Sequence, residues 1–259
     1  MSDDPEPSGQ YVQSLARGLS VIRAFGRDRP SMTLSDIAEV TGLTRATARR
    51  FLLTLLELGY VRADGRLFLL TPRVLELGFS YLSGLALPDI VGPHLEQLSR
   101  ALNESASASV LDGGDIVYIA RVPARRIMTV SITVGTRFPA HATSMGRVLL
   151  AGLDGDELDR YLDSIGRAAL TENTVTDAAT LRETLLQVRR QGWALVDQEL
   201  EPGLRSIAAP IHGSDGRVVA AINVSTSTST ASLERISDDY RPAVLRAAAE
   251  ISRALAHLR

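Results

Sequence analysis

Apolar residues recur at helical spacing through the first third of the chain and alternate at strand spacing through much of the remainder. From Tyr11 to Arg27, Leu15, Leu19, Ile22 and Phe25 fall on one side of a helix, which Arg29-Pro30 ends. Leu34, Ile37 and Ala38 make a second stripe, cut by Gly42, a residue suited to positive φ at a tight turn. Thr44 is placed to cap a third helix, whose apolar side is Ala48, Phe51, Leu52, Leu55 and Leu56. Two short strands, 60–62 and 67–70, flank Ala63-Asp64-Gly65-Arg66, a hairpin turn. Helix, turn, helix and hairpin predict a winged helix-turn-helix.

Thr71-Pro72 opens a further helix carrying Val74, Leu75, Leu77, Phe79, Tyr81 and Leu82. That stripe is too apolar for a bare linker and predicts a connecting helix that packs on a second subunit. Leu87-Pro88 breaks it, and Ile90 to Asn103 forms a helix with Val91, Leu95, Leu98 and Leu102 inward. Strands then predominate: 106–111 and 116–122 around Asp112-Gly113-Gly114-Asp115, 128–134, 193–197, and the pair 206–212 and 217–225 around Gly213-Ser214-Asp215-Gly216. Helices are expected at 143–152, 156–165, 178–191 and from Ser232 onward. The fold class is therefore α+β, with a mostly antiparallel sheet in the second domain. The expected divisions are a disordered tail at 1–10, a winged domain at 11–71, a linker helix at 72–86 and a second domain at 87–259.

Composition narrows the setting. The chain has no cysteine and no stretch of about 18 apolar residues, and its first ten residues are polar and acidic. These features predict a cytoplasmic protein with no membrane segment. The formal net charge is −2, which argues against a general nucleic-acid coat, but the charge is unevenly spread. Between Tyr11 and Ala86 stand about ten arginines against six acids, and the remainder leans acidic. On the expected second helix of the motif, Thr44, Arg45, Thr47, Arg49 and Arg50 offer donors to phosphates and base edges, with Arg62 and Arg66 on the wing. The implied partner is a double-stranded DNA operator.

In the second domain, Phe138 to Arg147 is a loop running into a helix whose first amides, at Ser144, Met145 and Gly146, suit an anion. Arg137 and Arg147 lie beside them, and Asp197, Ser206, Asn223 and Ser225 are polar residues on or near strands. A small carboxylate effector fits this set, with Arg137 or Arg147 pairing the acid and Ser206, Asn223 or Asp197 reading ring hydroxyls. The plain alternative is that Thr143 and Ser144 only cap a helix. His141, Ser144 and Asp197 make a conceivable triad, but no G-x-S-x-G elbow surrounds Ser144. The four histidines, His94, His141, His212 and His257, have no metal-ligand spacing, and no dinucleotide motif occurs. Neither catalytic residues, a metal nor a cofactor are expected.

The blocks SLARGLSVIRAF, LSDIAEVTGLTRATARRFLLTLLELGYV, LTPRVLELG, PAHATSMGRVLLA and GLRSIAAPI followed by AINVS resemble the IclR family of bacterial transcription regulators over nearly the whole chain. Within it, RVLELGFSYLSG, ASASVLDGGDIVYIARVPARRIM and VGTRFPAHATSMGRVLL are most similar to regulators of aromatic-acid catabolism by the β-ketoadipate route. The resemblance implies a GAF-like effector-binding domain, a homodimer or dimer of dimers, and palindromic operators. It also carries the family's effector pocket onto Ser144, Met145, Asp197, Leu204, Ser206, Asn223 and Ser225. Members that sense pyruvate-sized acids have Gly-Ala in place of Ser144-Met145, and another has Ser in place of Asn223, so the pocket's selectivity does not transfer. Two other functions stay open: a regulator of central carbon metabolism sensing a small 2-oxo acid, and a small-molecule-binding protein or enzyme with a vestigial DNA-binding domain.

Overall fold

The first apolar stripe forms α1 (Gln13–Ala24), shorter than expected because Phe25 turns extended at its C-terminus. The computed structural model describes residues 10–26, 28–78, 87–124, 132–164 and 166–256, and the chain divides into two units, Met1–Gly84 and Leu85–Arg259. In the first unit, α2 (Leu34–Thr41) starts with a capping box in which Thr33 and Asp36 satisfy each other's backbone amides. It ends at Gly42, whose φ of 65° is the left-handed value the turn requires. The hydroxyl of Thr44 caps α3 (Arg45–Glu57) by accepting from the Thr47 amide.

Val21, Ile37, Ala48 and Leu52 meet fully buried between these helices. Burying each larger side chain contributes about 1.5–3 kcal/mol. The wing strands β2 (Val61–Asp64) and β3 (Leu67–Leu70) pair as expected, and β3 pairs on its other side with an unanticipated strand, β1 (Ser31–Thr33). After the wing, Pro72–Val74 is a 3-10 turn and residues 75–78 are helical; the rest of the expected linker helix lies outside the described residues.

The second unit opens with α4 (Leu87–Leu102). It begins three residues before the expected Ile90, and Pro88 sits in its first turn, where no intrahelical N–H is needed. Six antiparallel strands follow in the order β6-β5-β4-β9-β8-β7: β4 (Ser105–Asp112), β5 (Asp115–Val122), β6 (Arg137–Pro139), β7 (Ala194–Asp197), β8 (Leu204–His212) and β9 (Val218–Ser227). Of the expected strand at 128–134, Met128 and Val130 lie outside the described residues, and Ile132 to Val134 are not a strand. The strand at this edge is β6, whose three residues are too few to show a period.

One face of the sheet carries a core built with α5 (Ser144–Gly152), α6 (Gly155–Ser164) and α7 (Ala178–Gln191). Gly146 lets α5 approach the preceding turn, since a Cβ there would stand 2.1 Å from the Ala140 carbonyl oxygen. The long helix expected from Ser232 is interrupted. A single turn, Leu233–Arg235, passes through a π turn, Ile236–Tyr240, into α8 (Arg241–Ala256). That turn brings the Tyr240 hydroxyl 3.2 Å from buried Glu104, which also accepts from Thr226 at 2.8 Å.

Candidate functional site

A cavity of about 290 Å³ opens on the face of the six-stranded sheet shared with α5. Strand alternation decides which side chains reach it. In β9, Asn223 and Ser225 are two residues apart; Ser225 pairs across to Ser206 on β8, and all three line the cavity. In β4 the same alternation aligns Ser105, Ser107 and Ser109, all buried, opposite Ser225, Asn223 and Ala221.

β5 departs from simple alternation. Ala108 pairs with Ala120 but Ser109 pairs with Tyr118, so Ile119 is an extra residue in a β-bulge. The bulge puts Tyr118 and Arg121, three residues apart, on the same cavity wall. Arg121 then lies opposite Ser107, whose hydroxyl accepts from Nη1 at 3.1 Å, and Ser105 accepts from Nη2 at 3.5 Å. No ion pair neutralises Arg121 among the described residues, and burial depresses its proton affinity.

The rest of the wall is mostly apolar. Tyr118 and Phe138 meet edge to face with centroids 6.0 Å apart, and burial pushes the Tyr118 phenol up to about 12, so it stays neutral. Ile132, Leu170, Val196, Leu200 and Leu204 add aliphatic surface. Glu201 stands on the same wall but is exposed to solvent. Asn223 is only 4% exposed; its Nδ2 donates to Ser225, and its Oδ1 has no hydrogen-bond partner among the described residues. A mostly apolar cavity that carries, among the described residues, one cation without a counter-charge and one amide oxygen without a partner suits a small acid carrying a donor group.

The expected pocket residues divide into two groups. Leu204, Ser206, Asn223 and Ser225 are on the wall, whereas Ser144, Met145, Arg137, Arg147 and Asp197 are not. Arg137 is a surface residue clamped to Asp112 at 2.6 Å and Asp115 at 3.1 Å, and these carboxylates raise its proton affinity. Arg147 is buried but already neutralised: Nη2 meets Glu199 at 2.5 Å and Nε donates to the His141 carbonyl at 3.1 Å. Asp197 pairs with Arg205 at 2.8 Å. Met145 sits in the core, where its sulfur accepts from Ser109 at 3.3 Å. Ser144 is buried, with its hydroxyl unpartnered among the described residues.

At the start of α5 the Gly146 amide is taken by the Thr143 hydroxyl at 3.0 Å, so Thr143 caps the helix and Ser144 does not. Sequence reasoning missed Arg121 because regular alternation puts residue 121 with Ile119, and the bulge overrides it.

The first unit presents a different surface. Arg45, Arg49 and Arg50 on α3 are exposed, and Arg45 and Arg49 are one helical turn apart. Thr44 and Thr47 share a hydroxyl contact of 2.9 Å at the cap. Arg62 and Arg66 are exposed on the wing, with Arg62 at 4.0 Å from Asp64. Arg45, Arg49, Arg50 and Arg66 form no ion pair among the described residues. Arg73, not singled out beforehand, ties the wing's base to α3 by donating to the Leu58 carbonyl at 2.8 Å and lying over the Tyr60 ring.

Comparison with known proteins places both units. Residues 14–65 match the IclR helix-turn-helix domain, and residues 79–253 match the bacterial transcriptional regulator IclR C-terminal domain. The chain is 43% identical to the Pca regulon regulatory protein of Pseudomonas putida, over 93% of this chain and 83% of that one. It is 59% identical to a transcriptional regulator from Rhodococcus sp. RHA1, whose crystal structure superposes with a TM-score of 0.87 over 96% of this chain and all of that one. An IclR homolog from Microbacterium hydrocarbonoxydans, crystallised with 4-hydroxybenzoate, superposes with a TM-score of 0.82 at 26% identity, over 93% and 98% of the two chains.

Proposed function

We propose, for a chain that belongs to the IclR family of bacterial transcriptional regulators, that it controls a catabolic operon by binding operator DNA through α3 and the wing, and that an aromatic acid bound in the second unit sets its affinity. The observation that carries the effector part is the cavity itself: an aromatic and aliphatic slot whose unpaired cation is Arg121. The DNA part is supported by unpaired arginines at the start of α3, the end of a recognition helix that meets base edges. Neither unit is assigned chemistry on a substrate, and the protein acts in the cytoplasm with the DNA it reads. Among the described residues no helix is long and apolar enough to cross a membrane.

The mechanism is linkage. An effector that favours one arrangement of two operator-binding units changes DNA affinity, and operator DNA must change effector affinity by the same factor. The experiment selects bound sites from genomic fragments, then titrates them against wild-type protein and the Arg45→Ala/Arg49→Ala variant. The variant's salt dependence is expected to flatten, with a slope of log affinity on log salt smaller by about two. Binding of 4-hydroxybenzoate should be unchanged in that variant. Unaltered DNA binding would remove α3 from the interface, and effector binding identical with and without operator would overturn the linkage.

A further inference from the structure

We propose that Arg121 anchors the effector's carboxylate and that the side-chain amide of Asn223 accepts a hydrogen bond from its hydroxyl, so that the effector is a hydroxy-substituted carboxylic acid lying across β4. This inference rests on the cavity being the effector site and says which atoms within it read the ligand.

The argument begins with charge. Among the described residues, arginines in or near this part of the fold are satisfied by protein carboxylates: Arg137 by Asp112 and Asp115, Arg147 by Glu199 and Arg205 by Asp197. Among the described residues Arg121 is the arginine on the cavity wall, and its partners there are neutral serine hydroxyls. Two of its five N–H groups are used there, which fixes the plane of the guanidinium and leaves three donors. A partly desolvated cation with oriented donors and no counter-charge is a carboxylate site. Among the described residues Glu201 is the carboxylate on the same wall, but it is exposed and makes no ion pair with them.

The second point is direction. Ser107 pairs with Arg121 on one side and with Asn223 on the other, so Arg121, Ser107 and Asn223 form a row across three adjacent strands. Strands lie about 4.8 Å apart, so the backbones of β5 and β9 stand about 10 Å apart with β4 between them, and the Arg121 guanidinium reaches over β4 to Ser107. Asn223 turns only one end of its amide to a partner among the described residues. Nδ2 is spent on Ser225, and Oδ1 is left as a buried acceptor without a partner among the described residues, on a residue that lines the cavity. A buried acceptor without a donor is costly, and a ligand hydroxyl removes that cost while an unsubstituted ring does not. Tyr118 and Phe138 bound the slot on the β5 side, where a flat ring stacks or meets them edge-on.

The test is calorimetric titration of the full chain with 4-hydroxybenzoate, 3-hydroxybenzoate, benzoate, pyruvate and lactate. Wild type, Arg121→Met, Arg121→Lys, Asn223→Ala and Arg137→Ala are compared, with melting curves to confirm that each folds. Wild type is expected to bind a hydroxybenzoate about tenfold more tightly than benzoate. Arg121→Met should weaken both by about 30-fold, and Arg121→Lys should restore part of the loss. Asn223→Ala should bring the hydroxybenzoate down to the benzoate level and leave benzoate unchanged. Arg137→Ala should bind as wild type does.

Benzoate affinities that are equal in wild type and Arg121→Met would overturn the anchor while leaving the aromatic-acid function intact. Discrimination that survives Asn223→Ala would overturn the hydroxyl contact. Binding of lactate or pyruvate alone, lost in Arg121→Met, would discard the aromatic effector and keep the anchor. No binding by any acid would discard both.

Discussion

His141 is 1% exposed, with Nε2 3.2 Å from the Ala168 carbonyl oxygen and Nδ1 unpartnered among the described residues. Burial, opposed by the Ala168 contact and aided by the nearby Arg147 and Arg167 charges, lowers its proton affinity below the ordinary value of 6.5. The unfolded chain therefore takes up a proton at a pH where the folded chain does not. This contribution to stability is present above about pH 6.5 and is lost as the pH falls through the lowered value. Urea unfolding between about pH 5 and 7.5 should show falling midpoints on the acid side, and His141→Gln should flatten that dependence. An identical pH profile in the variant would assign the effect to other groups. At this scale the sequence is readable where regular alternation holds: Ser206, Asn223 and Ser225, polar residues on expected strands, reach the cavity, and Leu204, which the family resemblance added, is beside them. It is silent on partners. Nothing in the letters at 137 and 147 shows that each arginine is already matched by a carboxylate distant in sequence, at 112 and 115 or at 199.

Among elements, the Arg147–Glu199 pair joins α5 to two loops at once. Glu199 also accepts from the Val175 amide at 3.1 Å, and the Thr171 and Thr174 hydroxyls donate to the carbonyls of Gln198 and Glu199. Gln198 holds a φ of 61°, which a non-glycine residue seldom adopts, so this junction also constrains the backbone. The loops so fixed carry Leu170, Leu200 and Glu201 to the cavity wall. Removing one partner alone leaves a buried charge uncompensated. Glu199→Leu should cost about 3–5 kcal/mol in denaturant unfolding, and Arg147→Met/Glu199→Leu distinctly less. Additive losses would show that the two charges are not coupled. The helices α2 and α3 were legible because stripe, cap and glycine agree. Strands β1 and β6 were not, since three residues define no period, and the π turn at Ile236–Tyr240 has no local signature.

For the whole molecule, the first unit leaves apolar side chains in water. Leu15 is 63% and Leu19 46% exposed on α1, and Tyr11, Val12, Leu75 and Leu77 are exposed as well. Together with Phe51 and Leu58, the α1 leucines border an apolar groove between α1 and α3. Such a surface suits a homodimer through this unit, matching two half-sites of a palindrome. Sedimentation of Leu15→Glu/Leu19→Glu should show a smaller assembly, and operator affinity should fall by more than tenfold while 4-hydroxybenzoate binding persists. An unchanged mass would place the subunit contact elsewhere. A length of 259 residues suggests two domains, and the chain divides into two units, Met1–Gly84 and Leu85–Arg259. The contents of the cavity did not follow, because they depend on which strand faces which.

The extra residue at Ile119 gives that dependence an evolutionary form. Deleting it would restore regular pairing in β5 and carry either Arg121 or Tyr118 to the opposite side of the sheet, with no change in the identity of either. A receptor of this kind has two ways to change what it detects: replacing a side chain on the wall, or slipping a strand by one position so that a different set of side chains becomes the wall. The second way is invisible to a residue-by-residue comparison of pocket positions. Two proteins aligned letter for letter along this strand present the same chemistry to a ligand only if both keep the bulge.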